Sequence, residues 1–504
     1  MKRVLIASPV KQKTPILQEF LQSLRELEKS GLEIEYAFVD DNEAECGLLR
    51  AFAAENPAVH LVRGHGQEEY LCNEHTHHWQ EDLIWKVAGY KDEFIRMARE
   101  RNFDYLFLVD SDLALHPKTL AHLVGLNKDI VSEVYWTQWE QDMPRLPQVW
   151  VSGQYCFCER PRGAALSEDE AGIRQGQFLE MLRCPGVYKV GGLGACTLIS
   201  AKALHTDIAF REIYNLGLSG EDRHFCVRAV GLGLKLYADT CYPPYHIYRE
   251  SELPGLAEHK ERYDYAGKQS PPRLTVGMLV RNEAGRYLEQ VLQQVVQYAD
   301  YVVILDDGSE DGTVEICRRG LAGVPVKIIS NAVPGFHNEI LLRKQLWNLA
   351  ADTDPDWILI LDADEVFEQR APLMLRLLLC NPEADVYAFR LYDLWNEQQY
   401  REDKYWQAHR YFRPFLVRYK AGYPYRWRET PQHCGRFPAN VMELRVIKSM
   451  LRVKHFGWIR AQDKLSKFYR YRAFDPAARY GLAEQYLSIL DPNPKLLPWE
   501  EDGL

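Results

Sequence analysis

The sequence has no apolar run near the roughly eighteen residues that a membrane-spanning helix needs. It has no excess of basic residues. Lys and Arg number 61 against 71 Asp and Glu, a net charge of −10, which argues against a general nucleic-acid binder but leaves room for a local basic patch. It has 11 cysteines but no Cys-x-x-Cys spacing. Cys156 and Cys158 are the only close pair, so neither a structural zinc site nor a disulfide frame is indicated, and a reducing cytoplasm is expected. The N-terminal apolar stretch Val4-Leu5-Ile6-Ala7 is too short for the core of a signal peptide and reads as a first strand. What is present is ordinary globular composition, 46% apolar and 26% charged, over 504 residues. That length suggests two or more domains.

Periodicity gives an α/β pattern, with a mainly parallel sheet expected. Strands are expected at 4–7, 34–39, 59–63 and 105–109, with helices at 16–29 and 83–101 between them. The strand at 105–109 is short, aromatic and branched, and it ends in Asp110-Ser111-Asp112. Residues two apart on a strand share a face, so Asp110 and Asp112 would project together beyond the core. Two carboxylates ~4 Å apart repel by roughly 4 kcal/mol at an intermediate dielectric. A hard divalent cation such as Mg²⁺ or Mn²⁺ relieves that repulsion. Ligands in open α/β sheets sit beyond the carboxyl ends of strands, a rim that Asp41 would share with this pair.

The pattern then restarts. A polar, proline-containing linker at 267–272 precedes strands at 274–280 and 301–305 and helices at 287–298 and 341–351. The strand starting at Trp357 ends in Asp362-Ala363-Asp364-Glu365, a second copy of the acidic device. The repeat spans about half the chain and reads as a duplicated domain, not a solenoid. The boundaries expected are 1–266, the linker 267–272, 273–490, and a proline-rich acidic tail at 491–504 that wraps the surface or is mobile.

The first half orders Asp40-Asp41-Asn42, Asp110-Ser111-Asp112, Gly220-Glu221-Asp222 and His246. The second orders Arg281-Asn282-Glu283, Asp306-Asp307-Gly308-Ser309 and Asp362-Ala363-Asp364-Glu365. In these ordered sets both halves resemble family 2 glycosyltransferases of the GT-A fold. The resemblance implies two tandem Rossmann-like GT-A domains, a UDP- or GDP-sugar donor with UDP favoured, a Mn²⁺ or Mg²⁺ ion, and inversion at the anomeric carbon. Carried over residue by residue, it makes Asp41 and Asp307 the base-reading aspartates. Asp110 and Asp362 become donor contacts. Asp112 and Asp364 become direct metal ligands, with His246 and His455 as further ligands. Asp222 resembles the catalytic base, with Glu221 next to it.

The second half departs from this pattern, because His433 is followed by Cys434 where a glutamate is expected. Glu429 is the substitute base that the sequence offers. Local readings stay open beside these roles. Asp41 could be a turn residue, His246 and His455 core histidines, and the Glu221-Asp222 pair a helix N-terminal charge. Gly191 to Gly194 reads as a backbone approach to sugar or acceptor, or as a simple turn. The basic, aromatic segment 464–479 reads as a pyrophosphate- or lipid-facing helix, or as a solvated face. Trp136, Trp139 and Trp150 read as sugar-stacking or core residues, and His75, His77 and His78 with Trp79 as an acceptor-side loop.

The function expected is a cytoplasmic bifunctional glycosyltransferase acting on a glycan, glycolipid or protein acceptor, with peripheral membrane contact and a homodimer left open. The alternative is one active domain with a degenerate partner serving as a binding or dimerisation scaffold. A sugar nucleotidyltransferase fits less well, because its glycine-rich pyrophosphate loop does not follow either first strand.

Overall fold

In the computed structural model the described residues are 1–64, 80–140, 142–152, 155–158, 167–217, 220–267, 270–479 and 481–501. The His75, His77, His78 and Trp79 cluster lies outside them. The chain divides into two compact units, Met1–Gln269 and Ser270–Leu504.

The first unit is built on an eight-stranded sheet. Strand Lys2–Val10 pairs in parallel with Leu32–Asp40 on one side and with Tyr105–Leu108 on the other, and Val59–Arg63 extends the parallel edge. Beyond Tyr105–Leu108 the sheet is mixed: Thr197–Ser200 runs antiparallel between it and Ile130–Glu133. The mainly parallel sheet expected from the repeated strand–helix pattern therefore holds for the N-terminal strands, and the rest mixes directions, with Leu236–Asp239 parallel to Ile130–Glu133 and antiparallel to Val187–Val190. Thr197–Ser200 follows the short ladder strand Gly192–Leu193 and no crossover helix, so it is free to return antiparallel. Helix Thr14–Glu26 opens with Pro15 and buries Ile16, Leu17, Phe20, Leu21 and Leu24 at helical spacing. Helix Glu81–Glu100 buries Ile84, Ala88, Ile95 and Ala98 along one stripe, and the same stripe carries Lys91.

The glycine stretch has a packing role. Gly192 pairs with Trp150 in a short antiparallel ladder, and a Cβ there would overlap the Trp150 indole. Trp150 is itself buried in the core, whereas Trp139 is half-exposed.

The second unit holds a ten-stranded sheet whose first strands follow the same order. Val326–Ser330, Tyr301–Asp306, Leu274–Val280 and Trp357–Asp362 lie side by side in parallel, followed by antiparallel Phe412–Arg418. Helix Glu339–Ala351 buries Leu342, Leu346 and Ala350, with Arg343 on the same face. The tail is tied into the sheet: Leu496–Pro498 pairs antiparallel with Gln399–Arg401. Backbone pairing at a sheet edge thus gives the proline-rich segment a fixed place.

Gly192→Ala is expected to destabilise the first unit by about 1–3 kcal/mol, because the indole must shift to admit a methyl group. A lower urea midpoint for the transition that exposes Trp150 is the measurement.

Candidate active site

In the first unit the sheet register delivers the acidic residues to one rim. Val10 pairs with Asp40, and the Asp41 amide donates to the Val10 carbonyl (2.8 Å), so Asp41 begins where the ladder ends. Asp40 turns inward, accepting from the Cys46 amide (2.8 Å) and pairing with Arg63 (3.1 Å). Asp41 faces the cavity, held by Tyr90 Oη (2.9 Å) and Lys86 Nζ (2.9 Å).

Past Tyr105–Leu108 the chain passes Asp110 and Asp112 into the short strand Leu113–Ala114, which pairs with Tyr245–His246. His246 lies opposite Leu113, and the Ile247 amide donates to the Asp112 carbonyl (2.9 Å). That places His246 Nε2 3.3 Å from Asp112 Oδ2. The other ring nitrogen, Nδ1, lies 2.8 Å from Thr137 Oγ1, which accepts from Gln148 Nε2 (3.0 Å). An imidazole oriented through one nitrogen, with a carboxylate beside the other, is the usual setting of a metal-ligating histidine.

Helix Glu221–Gly231 brings the remaining carboxylates. Gly220 stands at its start with φ 85°, a left-handed conformation that disfavours any side chain. Glu221 and Asp222 occupy the first turn, and both meet Lys91: Nζ donates to Glu221 Oε1 (2.8 Å) and Asp222 Oδ1 (3.0 Å). Lys91 is 4% exposed. Burial disfavours its charge, but Asp222 and Glu221 overcome that and hold its pKa well above the ordinary lysine value. Burial pushes Asp222 up to about 6 against the pull of Lys91. Burial likewise pushes Asp110 up to about 7, opposed by Lys91 and assisted by Asp112.

Asp41, Asp110, Asp112, Glu221, Asp222 and His246 all line one cavity of about 340 Å³, with Trp139 and Tyr248 on its wall. Six residues spread over more than two hundred positions of sequence thus converge on one space. A carboxylate pair and an oriented imidazole suit a divalent cation, and the Asp222 carboxylate lines the same cavity. Lys91 was not singled out by sequence reasoning. The available signal was a lysine on the apolar stripe of an otherwise amphipathic helix.

The second unit repeats the plan with different contents. Asp307 is fully buried and accepts from the Gly335 amide (2.7 Å) and the Phe336 amide (3.1 Å). It organises the loop after Val326–Ser330 and does not line the second cavity. Asp362 accepts from Arg343 (3.1 Å), nineteen residues before it, which is also the separation of Lys91 from Asp110 (110 − 91). Glu365 pairs with Arg436 (2.8 Å) and accepts from the Asp362 amide (2.9 Å).

His455 lies opposite Glu365 in the strand ladder, with Nε2 3.4 Å from Asp364 Oδ2 and Nδ1 2.7 Å from Asp393 Oδ1. Lys467 Nζ stands at 3.1 Å from Asp364 Oδ2 and from His455 Nε2. Burial and Lys467 oppose protonation of His455, but Asp364 and Asp393 overcome them and hold it up at about 9. Asp362, Asp364, His433 and His455 line a cavity of about 380 Å³. Glu429 is not among its lining residues; it is held at the surface by Lys344 Nζ (2.7 Å). Glu283, quoted only as part of a motif, does line it, and burial pushes its carboxyl up to about 7.

Residues 275–435 match the family model described as glycosyl transferase family 2. The match falls within the second unit. Uncharacterized proteins of Mycobacterium tuberculosis and Mycobacterium bovis are each 24% identical over 232 residues, 42% of this chain and 53% of theirs. The chain therefore spans about half the length of the curated relatives it matches. Similar solved structures include the mannosyltransferase PcManGT from Pyrobaculum calidifontis in complex with GDP-Man and Mn²⁺. It is 14% identical with a TM-score of 0.30, covering 53% of this chain and 65% of that one. Another is TarS of S. aureus, 14% identical with a TM-score of 0.29, covering 53% of this chain and 39% of that one. No helix among the described residues is long and apolar enough to cross a membrane.

Lys91→Met is expected to destabilise the first unit by about 3 kcal/mol, because it strands two carboxylates in a buried site. The lower end of the usual range applies, since the Asp222 side chain is 26% exposed and can relieve the strain by taking a proton. Urea denaturation at neutral pH measures the loss, and a smaller loss at pH 5 would mark protonation of the stranded carboxylates as its relief.

Proposed function

We propose that the protein is a nucleotide-sugar glycosyltransferase whose first unit carries out metal-assisted, inverting transfer. The observation that carries the reading is the convergence of Asp41, Asp110, Asp112, Glu221, Asp222 and His246 on one cavity. The glycosyl transferase family 2 match supports the class of reaction, although it falls on the other unit. Asp112 and His246 would hold the cation, with Asp110 alongside. When bound, the cation would neutralise charge building on the leaving nucleoside diphosphate. Asp41, at the far edge of the same rim, accepts hydrogen bonds and reads the donor's base.

Asp222 takes the proton from the acceptor hydroxyl as that oxygen attacks the anomeric carbon. Lys91 keeps Asp222 ionised and fixed in direction, so it is a positioning residue. Trp139, half-exposed on the cavity wall, offers an apolar face to a sugar ring. The acceptor is a hydroxyl-bearing glycan, glycolipid or protein. In the second unit the same strand-end plan supports binding of a nucleotide sugar. A bifunctional chain follows if that unit also transfers. A binding scaffold is the second reading, favoured by the surface position of Glu429.

A screen of UDP- and GDP-sugars for Mn²⁺-dependent hydrolysis, with release of nucleoside diphosphate, identifies the donor. Asp222→Asn is expected to lower transfer by about 10²–10⁴-fold with donor affinity nearly unchanged. Asp112→Asn is expected to weaken Mn²⁺-dependent donor binding itself. Near-normal transfer by Asp222→Asn would remove Asp222 from the role of base and leave Glu221 as the next candidate.

The transfer rate should rise with pH through about 6, because a protonated Asp222 cannot accept another proton. In Lys91→Met the rise should move to higher pH, since the charge that holds Asp222 down is gone. A pH profile unchanged by Lys91→Met would contradict that coupling.

A further inference from the structure

The two units place an aspartate and a histidine in the same geometry. His246 lies opposite the residue after Asp112, and His455 lies opposite the residue after Asp364. The residue following each histidine donates its amide to that aspartate's carbonyl, at 2.9 Å and 2.8 Å. The carboxylate–imidazole distances are 3.3 Å and 3.4 Å. A lysine packs against the pair in the second unit. In the second unit Lys467 Nζ is 3.1 Å from both groups.

A cation of the Mg²⁺ or Mn²⁺ class needs oxygen and nitrogen ligands at about 2 Å. Bound to Asp364 and His455, it would sit against a fixed ammonium. Lys467 is 8% exposed, on helix Ala461–Phe474, and its Nζ lies 4.5 Å from the centre of the Trp458 ring. The ammonium is therefore part of the packed structure. The donor set of the second unit does not fit a divalent ion.

The linings differ in charge accordingly. Among the described residues the first cavity has two lysines, Lys11 and Lys91, against five carboxylates. The second has Arg286, Arg343, Arg413, Arg436, Lys467 and Arg470, six against six carboxylates. A diphosphate entering the first cavity meets carboxylates and requires an added cation. One entering the second meets cations that the chain itself supplies, with guanidinium groups suited to bidentate contact with phosphate oxygens.

We propose that the second unit binds a nucleoside diphosphate group without a divalent cation, with Lys467 standing where the first unit would hold one. This rests on reading the second cavity as a nucleotide-sugar site. Lys467 and Arg470, one turn apart on the same helix, face the phosphates, while Arg343 and Arg436 stay with Asp362 and Glu365.

The test uses the full chain carrying Asp112→Asn, so that metal-dependent binding by the first unit is silenced. UDP and GDP are titrated calorimetrically in EDTA and in Mn²⁺. Equal affinity in both buffers is expected for at least one nucleotide, with a loss of tenfold or more on adding Lys467→Met, which keeps the stem over Trp458. Binding that appears only with Mn²⁺ overturns the proposal, and so does unchanged affinity in Lys467→Met. Absence of binding in both buffers also overturns it. The reading of the first unit is then judged separately, by Mn²⁺-dependent binding in the chain with Asp112 intact. A Mn²⁺ count needs no change at Lys467. The Asp112→Asn chain is expected to hold no ion that depends on Asp364, and an ion lost on adding Asp364→Asn would overturn the proposal.

Discussion

Carboxylates gathered at the ends of central strands must be neutralised where they stand. Each unit carries an Asp-x-Asp at the end of a strand in the middle of its sheet, and each adds further acids from neighbouring segments. At ~4 Å and an intermediate dielectric, each like-charged pair costs roughly 4 kcal/mol, comparable to the whole stability of a small domain. The first unit answers with one buried lysine shared by Glu221 and Asp222, and sets His246 beside Asp112. The second answers with Arg343, Arg436 and Lys467, one for each acid of Asp362, Glu365 and Asp364. What each cavity can bind follows from how much of its negative charge is already matched.

The framework was legible because apolar runs and helical stripes are statements about burial. Residues 59–63 and 274–280 are strands with the ends their sequence suggests, and the helix expected at 83–101 spans Glu81–Glu100. The direction of the late strands was not legible. Direction depends on what connects two strands in space, and the segment between Glu133 and Thr197 holds several two-residue strands and the helix Glu168–Leu182, an order that does not reveal it. The acidic cluster of the first unit was legible as separate motifs, since each sits just past a strand or at a helix start. The convergence of His246 with Asp112 rests on a two-residue ladder that no periodicity marks.

The partners of the acids were the least legible part. Lys91 and Arg343 lie on buried helix stripes where a pattern reading expects apolar residues, and a single charged residue in such a stripe is easily taken as noise. Their shared separation of nineteen residues from Asp110 and Asp362 was present in the sequence, but it gains meaning only once both side chains are seen to reach those strand ends. Asp307 shows the opposite case. Its motif matches Asp41, yet it is consumed by the amides of Gly335 and Phe336, because the loop after Val326–Ser330 folds back over it. Identical short motifs thus diverge through neighbours far away in sequence.

A fixed ammonium and an exchangeable divalent ion are different solutions to one charge problem. A lysine on a packed helix is present at every turnover, costs no binding entropy, and contributes a single charge at one point. A divalent ion brings twice the charge and can bridge two phosphates, but its hold depends on carboxylates left open for it. Asp364 cannot serve both purposes, since its charge is already matched by Lys467 and His455. A phosphate near Lys467 would have to share that ammonium with Asp364, which weakens each contact. Arg470 and Arg413 line the same cavity, where they stand with Glu283, Glu339 and Asp475 and add guanidinium groups to the wall that a phosphate would meet. The second unit thereby sets six lysine and arginine side chains against six carboxylates in one lining, a balance closer to neutral than the two lysines against five carboxylates of the first cavity.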